Sequence, residues 1–258
     1  MRVLLTNDDG VNSPGLMALR RELERIATVF VVAPDRERSG AGHSITVFSP
    51  IMARRLEEGP QAVPTWVIDG TPADCVKLAI SALVKEPLDF VVSGVNRGAN
   101  LGHDVLYSGT VSAAVEGVIM GVPALAVSLT SFNYHADYSF AARFVRLMLR
   151  TLHRKRLQRD VVLNINVPDL PRAEIRGVRV TKLGLRRYQN LFEERKDPRG
   201  NTYYWLGGDV IREAQEPDSD VAAIEDGCVS VTPIHFDLSD YRLIEEFRAR
   251  YGPFLDLV

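Results

Sequence analysis

Apolar and polar positions along this chain alternate at the scale of whole segments. Short β-prone apolar runs recur at 3–6, 29–33, 89–93, 124–128 and 161–165. Each is too short for a helix and is bounded by turn-forming or charged residues, so each predicts a buried strand. Between them the spacing changes to that of one helical face: Leu16, Leu19, Leu23 and Ile26; then Val76, Ala79, Ile80 and Leu83; then Val111, Ala114, Val115 and Val118; later Phe140, Phe144, Leu147 and Leu152. Thr71-Pro72 and Ser108-Gly109-Thr110 supply capping residues before two of these stretches, and Gly121-Val122-Pro123 stops the third. Strand and helix in alternation predict an α/β fold: a mostly parallel sheet covered on both faces by right-handed crossovers.

Two segments break the rhythm. Residues 44–69 mix β-formers with Pro50, Pro60 and Pro64 and show no helical period, which predicts a strand or hairpin excursion ending at Gly70. After about Pro168, the runs Val178 to Leu183 and Tyr203 to Leu206 read as strands flanking the charged stretch 186–201, an extended hairpin with a polar tip. Such an arm has little against which to bury Tyr203, Tyr204 and Trp205. Its expected packing partner is a second subunit or the chain's own domain. Beyond Val229 to Pro233 a last helix is expected from near Ser239, with Leu243, Phe247 and Tyr251 on one face. Residues 1–176 are accordingly read as the core, and 177–258 as an arm and C-terminal segment dependent on it.

Composition narrows the partners. The chain has 258 residues, 46% of them hydrophobic, with 31 basic against 33 acidic side chains for a net charge of −2. No overall field draws nucleic acid or anionic lipid. Cys75 and Cys228 are too few for a disulfide framework, Cys75 reads as core, and no signal-peptide pattern follows Met1. The expectation is a cytoplasmic protein without a membrane span.

Candidate chemistry gathers in the loops after the predicted strands, where open parallel sheets place their ligand crevice. The first run ends in Asn7-Asp8-Asp9-Gly10. Two adjacent carboxylates repel unless something positive lies between them, and oxygen ligands favour a hard ion such as Mg²⁺ or Mn²⁺. Adjacent aspartates also serve as plain turn and capping groups. The second run leads into Arg36, Arg38, Ser39, Gly40 and His43, the third into Asn96, Arg97 and Asn100. Ser39 and Asn96 offer neutral oxygens that add ligands without adding charge, or else they are turn formers. Ser108-Gly109-Thr110 opens a small-residue helix whose amides suit a phosphate, or is an ordinary N-cap. Arg36, Arg38 and Arg97 could hold an anion or equally be solvated surface residues; His43 and His103, ranked below the aspartates, could move a proton, although a loop histidine is more often a hydrogen-bonding or surface residue. No Gly-x-x-x-x-Gly-Lys-Ser/Thr occurs, and no Gly-x-Gly-x-x-Gly follows the first strand.

In order and spacing, Thr6-Asn7-Asp8-Asp9-Gly10, the run Ala33 to Ser39, the run Gly70 to Val76, Ser93-Gly94-Val95-Asn96-Arg97-Gly98 and Tyr107-Ser108-Gly109-Thr110-Val111 closely resemble the survival-protein-E (SurE) family of nucleotidases. Leu163 to Pro168 and Val231 to Ile234 resemble it too. The resemblance implies a Rossmann-like three-layer fold with a protruding hairpin and an exchanged C-terminal segment, in a homodimer or tetramer. It implies a metal-dependent phosphomonoesterase acting on nucleoside 5′-monophosphates, in some members on 3′-nucleotides or short polyphosphate. It places the metal ligands on Asp8, Asp9, Ser39 and Asn96. Substrate contacts are then expected from Asn96, Ser108, Gly109 and Thr110, with Gly40, His43, Arg97 and Asn100 as further candidates. Two alternatives stay open at this point, a nucleotide-sensing module without hydrolysis and a phosphatase that forms an aspartyl-phosphate.

Overall fold

A computed structural model describes residues 1–56, 63–155, 158, 160–211 and 213–255. Its centre is a nine-stranded sheet. The strands are β1 (Arg2–Thr6), β2 (Thr28–Pro34), β3 (Ala53–Leu56), β4 (Thr65–Ile68), β5 (Phe90–Arg97), β6 (Ala124–Leu129), β7 (Val162–Val167), β8 (Gly177–Val180) and, later in the chain, β13 (Cys228–Ile234). They lie in the order β3-β4-β2-β1-β5-β6-β7-β13-β8. From β4 to β7 every neighbouring pair is parallel, while β3 and β13 run against their neighbours β4 and β7.

Four helices cover the faces: α1 (Pro14–Leu23), α2 (Pro72–Leu78), α3 (Gly109–Ile119) and α4 (Ser139–Lys155). Successive residues of β1 feed opposite cores. Val3 and Leu5 pack with Leu16, Leu19, Val145 and Leu149 of α1 and α4, whereas Leu4 packs with Val76, Val111 and Ala114 of α2 and α3. Both faces of the central strands are therefore apolar, which is why they read in sequence as unbroken apolar runs rather than alternating ones. The helix starts follow local chemistry. Thr71 and Asp74 form a capping box before α2, and Ser13 and Ser108 cap α1 and α3.

The chain leaves β1 toward β2 and β4 on one side, then returns to β5, β6 and β7 on the other. The order thus reverses between β1 and β5, and a crevice opens there at the carboxyl ends of the strands. The excursion between β2 and α2 is the expected hairpin, β3 against β4; Pro60 lies outside the described residues.

The arm differs from the reading of the sequence. Val178 does not pair with the run at Tyr203. It belongs to β8, which lies parallel to β13 at the edge of the main sheet. The hairpin is built further out, from β10 (Phe192–Lys196) and β11 (Thr202–Leu206), with β9 (Tyr188–Gln189) and β12 (Asp209–Val210) paired at its base. The apolar content of Val178 to Leu183 matches a sheet edge as well as a hairpin, and only pairing with β13, some fifty residues later, decides between them. A short helix, α5 (Asp220–Glu225), precedes β13, and α6 (Tyr241–Leu255) ends the described chain with Leu243, Phe247 and Tyr251 exposed. Among the described residues no helix is long and apolar enough to cross a membrane.

Candidate functional site

β1 ends in Thr6, and the chain turns at once. Asn7 fixes that turn, its Nδ2 donating to the Gly10 carbonyl at 2.9 Å and to Ser13 Oγ at 2.7 Å. Asp8 is buried and accepts a hydrogen bond from the Thr110 hydroxyl at 2.5 Å, on the first turn of α3. Asp9 accepts from the Arg97 backbone N–H at 3.0 Å, at the end of β5. The two carboxylates are therefore held by groups from two elements, the end of β5 and the start of α3.

Glycine sets the approach on one side. A Cβ built on Gly109 would stand 2.9 Å from Asp8 Cβ and 3.0 Å from its Oδ2. Only glycine lets the start of α3 come so close. The positive end of that helix then faces the carboxylates.

On the other side the ladder between β5 and β6 shifts: Ser93 pairs with Ala126 but Asn96 with Ser128, one residue more on β5 than on β6. The bulge turns Asn96 toward the loop end. It also needs Gly94, where a Cβ would lie 2.2 Å from the Val127 carbonyl oxygen. Asn96 Nδ2 donates to the Gly98 carbonyl at 2.9 Å, so Oδ1 is oriented away from that contact.

Burial pushes the Asp8 carboxyl above its ordinary range despite the bonds from Thr110. The Asp9 carboxyl is pushed up to about 6, first by burial and then by the charge of Asp8. Neither has a cationic side chain among its hydrogen-bond partners here. Arg97, whose backbone N–H binds Asp9, gives its guanidinium Nη2 to Glu37 at 3.0 Å. Two carboxylates raised in this way, Asp8 buried and Asp9 half-buried, are short of positive charge, and a hard divalent cation would supply it. Among the described residues no three His, Cys, Asp or Glu side chains form a metal-holding group. Any ion beside Asp8 and Asp9 would accordingly take its other ligands from neutral oxygens, and the donor set fits.

The remaining expected residues are spread around the crevice and beyond it. Ser39 stands one residue beyond Arg38, whose N–H donates to the Asp8 carbonyl at 2.7 Å, but its own hydroxyl donates to Glu37 Oε1 at 2.8 Å. Ser108 Oγ accepts from Val111 N and so caps α3. Gly40, with φ +71, lies in the open loop between Ser39 and His43. His43 turns toward α3, where Nε2 meets Glu116 Oε2 at 2.9 Å; Lys77 holds the other oxygen at 3.1 Å. Asn100 is buried. Its N–H donates to Asn166, its Nδ2 to Ser128, and its carbonyl accepts from Asn164 and Asn166. Arg38 Nη2 donates to the Asp69 carbonyl at 2.6 Å, Arg36 is exposed, and His103 lies at the surface. Glu37, which joins Ser39 to Arg97, was not singled out by the sequence. A glutamate between two arginines carries no signal until the fold shows which one it faces.

Size alone does not mark the site. A cavity of about 850 Å³ lies at the other end of β5, lined by Val84, Phe90, Pro123 and His153. A smaller cleft of about 110 Å³ opens beside Asp9, between Asn12, Glu37, Arg97 and Tyr134. Chemistry selects the second, because ligands of open parallel sheets bind beyond the strands' carboxyl ends.

Comparison with known proteins gives the family. Residues 3–190 match the family model described as Survival protein SurE. The chain is 58% identical to the 5′-nucleotidase SurE of Syntrophomonas wolfei, with 100% of this chain and 97% of that protein covered. It is 54% identical to the 5′-nucleotidase SurE of Heliobacterium modesticaldum, over 99% and 95% of the two. The crystal structure of the SurE protein from Aquifex aeolicus superposes with a TM-score of 0.84 at 38% identity, covering 96% of this chain and 99% of that one.

Proposed function

The chain belongs to the SurE family, and from that premise we propose that it is a metal-dependent phosphomonoesterase that releases phosphate from nucleoside 5′-monophosphates. Activity on 3′-nucleotides and short polyphosphate is part of the same reading. The observation that carries it is the juxtaposition of Asp8 and Asp9 with the first turn of α3, a cation-demanding pair facing a helix start suited to an anion.

Asp8 and Asp9 would hold the ion, Mg²⁺ or Mn²⁺, with the neutral oxygens of Asn96 and Ser39 as its further ligands; the Ser39 hydroxyl, bonded to Glu37, would exchange that partner for the ion. When bound, such a cation polarises a phosphate oxygen and orients water for attack on phosphorus. Thr110 keeps Asp8 in place through its hydroxyl, so the carboxylate cannot swing toward solvent. The first-turn amides at Gly109 and Thr110, together with Ser108 and Asn96, hold the phosphoryl oxygens as their charge redistributes. Gly40, His43, Arg97 and Asn100 frame the substrate less directly, and His43 and Asn100 do so by fixing the loops they sit on.

Residues 1–176 carry this chemistry, and 177–258 serve association, with the arm and α6 offering apolar faces to a second copy in a homodimer or tetramer. A cytoplasmic location is part of the same reading. The test is phosphate release from nucleoside monophosphates, sugar phosphates and polyphosphate with Mg²⁺, Mn²⁺ or chelator. Turnover confined to nucleotides and abolished by chelator is expected; no metal-dependent release from any of them overturns the reading.

A further inference from the structure

One buried carboxylate ties the loop before α3 to the C-terminal part of the chain. Asp220, the first residue of α5, is fully buried. Its Oδ2 accepts from the Gly102 N–H at 2.9 Å, and its Oδ1 accepts from Gly184 and Val221 N–H, both at 2.8 Å. The donors come from three distant parts of the sequence. Gly102 opens the turn Gly102–Leu106 that leads through Tyr107 into Ser108, Gly184 stands at the root of the arm, and Val221 belongs to α5.

The junction is closely packed. A Cβ on Gly102 would lie 2.6 Å from the Gly184 carbonyl oxygen, and one on Gly184 would lie 3.1 Å from Asp220 Oδ1. Two residues further along each strand of the junction a second tie repeats the arrangement: Asp104 Oδ2 meets Arg186 Nη1 at 2.8 Å and accepts from the Tyr188 hydroxyl at 2.6 Å. The turn is also held from below by Asn166 on the Asn100 N–H, and on its far side the Tyr107 carbonyl accepts from Gly42 N at 3.0 Å.

Packing alone does not require a carboxylate here. Burial opposes its charge and raises its pKa, against the pull of the backbone N–H groups, and an apolar side chain would fill the space without that cost. What an anion adds is direction: bonds from three N–H groups to one charged group fix three backbones relative to one another more tightly than contact does.

We propose that Asp220 is a positioning residue for the phosphate-facing start of α3, setting the turn Gly102–Leu106 and with it Ser108–Thr110 against Asp8, and joining the root of the arm to the site. The claim that this bears on turnover rests on the phosphomonoesterase reading; the claim that Asp220 positions the turn does not.

Asp220→Asn keeps the shape but leaves one oxygen and an NH₂ facing backbone donors. Three measurements on the full chain test it: phosphate release from a nucleoside monophosphate with Mn²⁺, Mn²⁺ binding by electron paramagnetic resonance, and amide hydrogen exchange across 102–110. The expected result is kcat lower by about 10- to 100-fold, since small displacements of positioning groups cost on that scale. Mn²⁺ affinity should stay within about twofold, because β1 and its turn are untouched, and exchange over 102–110 should be faster while β1 and β5 keep their protection. Unchanged exchange over 102–110, or faster exchange throughout the core together with lost Mn²⁺ binding, overturns the proposal. If Asp220→Asn does not fold, Asp220→Ser, which keeps one acceptor and adds no bulk, takes the same measurements with the same criteria. A wild-type protein that releases no phosphate refutes the activity, and the exchange readout then decides Asp220 alone.

Discussion

The crevice at Asp8 and the hairpin of β10 and β11 are opposite ways of breaking the ordinary rule of burial. At the crevice, polar groups are inside: Asp8, Asn96, Ser108 and Thr110 are all buried. On the hairpin, apolar groups are outside, with every residue of both strands exposed, including Phe192, Tyr204, Trp205 and Leu206. The first is backed by packed strands and helices, so the cost of burying its polar groups is offset by the core. The second has no such backing, and its stability depends on what it meets. A buried polar cluster marks where a protein acts on small molecules, and an exposed apolar one marks where it meets large ones.

The sharpest way to break this contrast is Asp8→Asn. Loss of one ligand from a two-carboxylate site should lower metal-dependent phosphate release by roughly 1000-fold, about 4 kcal/mol of barrier, with the thermal midpoint of the chelated protein maintained or raised. Near-normal turnover at saturating Mn²⁺ would remove the carboxylates from the chemistry. Next comes the support beneath them. Leu125 in β6 is fully buried, and Leu125→Ala should cost about 3 kcal/mol in denaturant unfolding; a cost under about 1 kcal/mol would mean that the sheet centre is less closely packed than its burial indicates.

A third expectation concerns the metal and pH. The Asp9 carboxyl lies at about 6 in the folded chain against an ordinary 3.8. Between those values the folded protein holds a proton that the unfolded chain releases, so this group's contribution is full below pH 3.8 and is lost as pH rises through 6. A divalent cation, which needs the deprotonated carboxylates, reverses the trend. At a hundredfold excess over its Kd it stabilises by about 2.7 kcal/mol, and calorimetry should show a larger Mn²⁺-induced rise in Tm at pH 7.5 than at pH 5. An equal rise at both would detach Asp9 from the metal. The smallest effect is expected on the arm. Trp205→Ser should change the stability of the isolated chain by no more than about 0.5 kcal/mol and leave turnover within twofold, while weakening self-association by sedimentation. A large loss of activity from this change on the hairpin would show that the two regions are not separable.

Sequence reveals these regions unequally. The strand–helix alternation was legible because both faces of the central strands are covered, which makes each of them a local apolar run. Asp8-Asp9 was legible because two like charges after such a run are conspicuous by themselves. The pairing of Val178 was not, since β8 and a hairpin strand share one local pattern and differ only in a partner near Val229. Asp220 was invisible for a related reason. An aspartate after Ser219 reads as an ordinary helix start, and the backbone donors it serves at Gly102 and Gly184 have no side chains by which to announce themselves. Glu116 likewise sits among small residues of α3 with nothing local to show that His43 and Lys77 converge on it.

The bulge in β5 makes the site a matter of parity. Side chains alternate between faces with a period of two, so the one additional residue between Ser93 and Asn96 decides which way Asn96 faces. Deleting it would restore a regular ladder and turn the amide to the opposite face, an error of a full 180° from a single codon. Length changes are therefore least tolerable at Gly94 and Val95, in a buried central strand of the sheet. The hairpin turn around Arg199 and Gly200, exposed and remote from any such count, is where an inserted tag or reporter would be accepted.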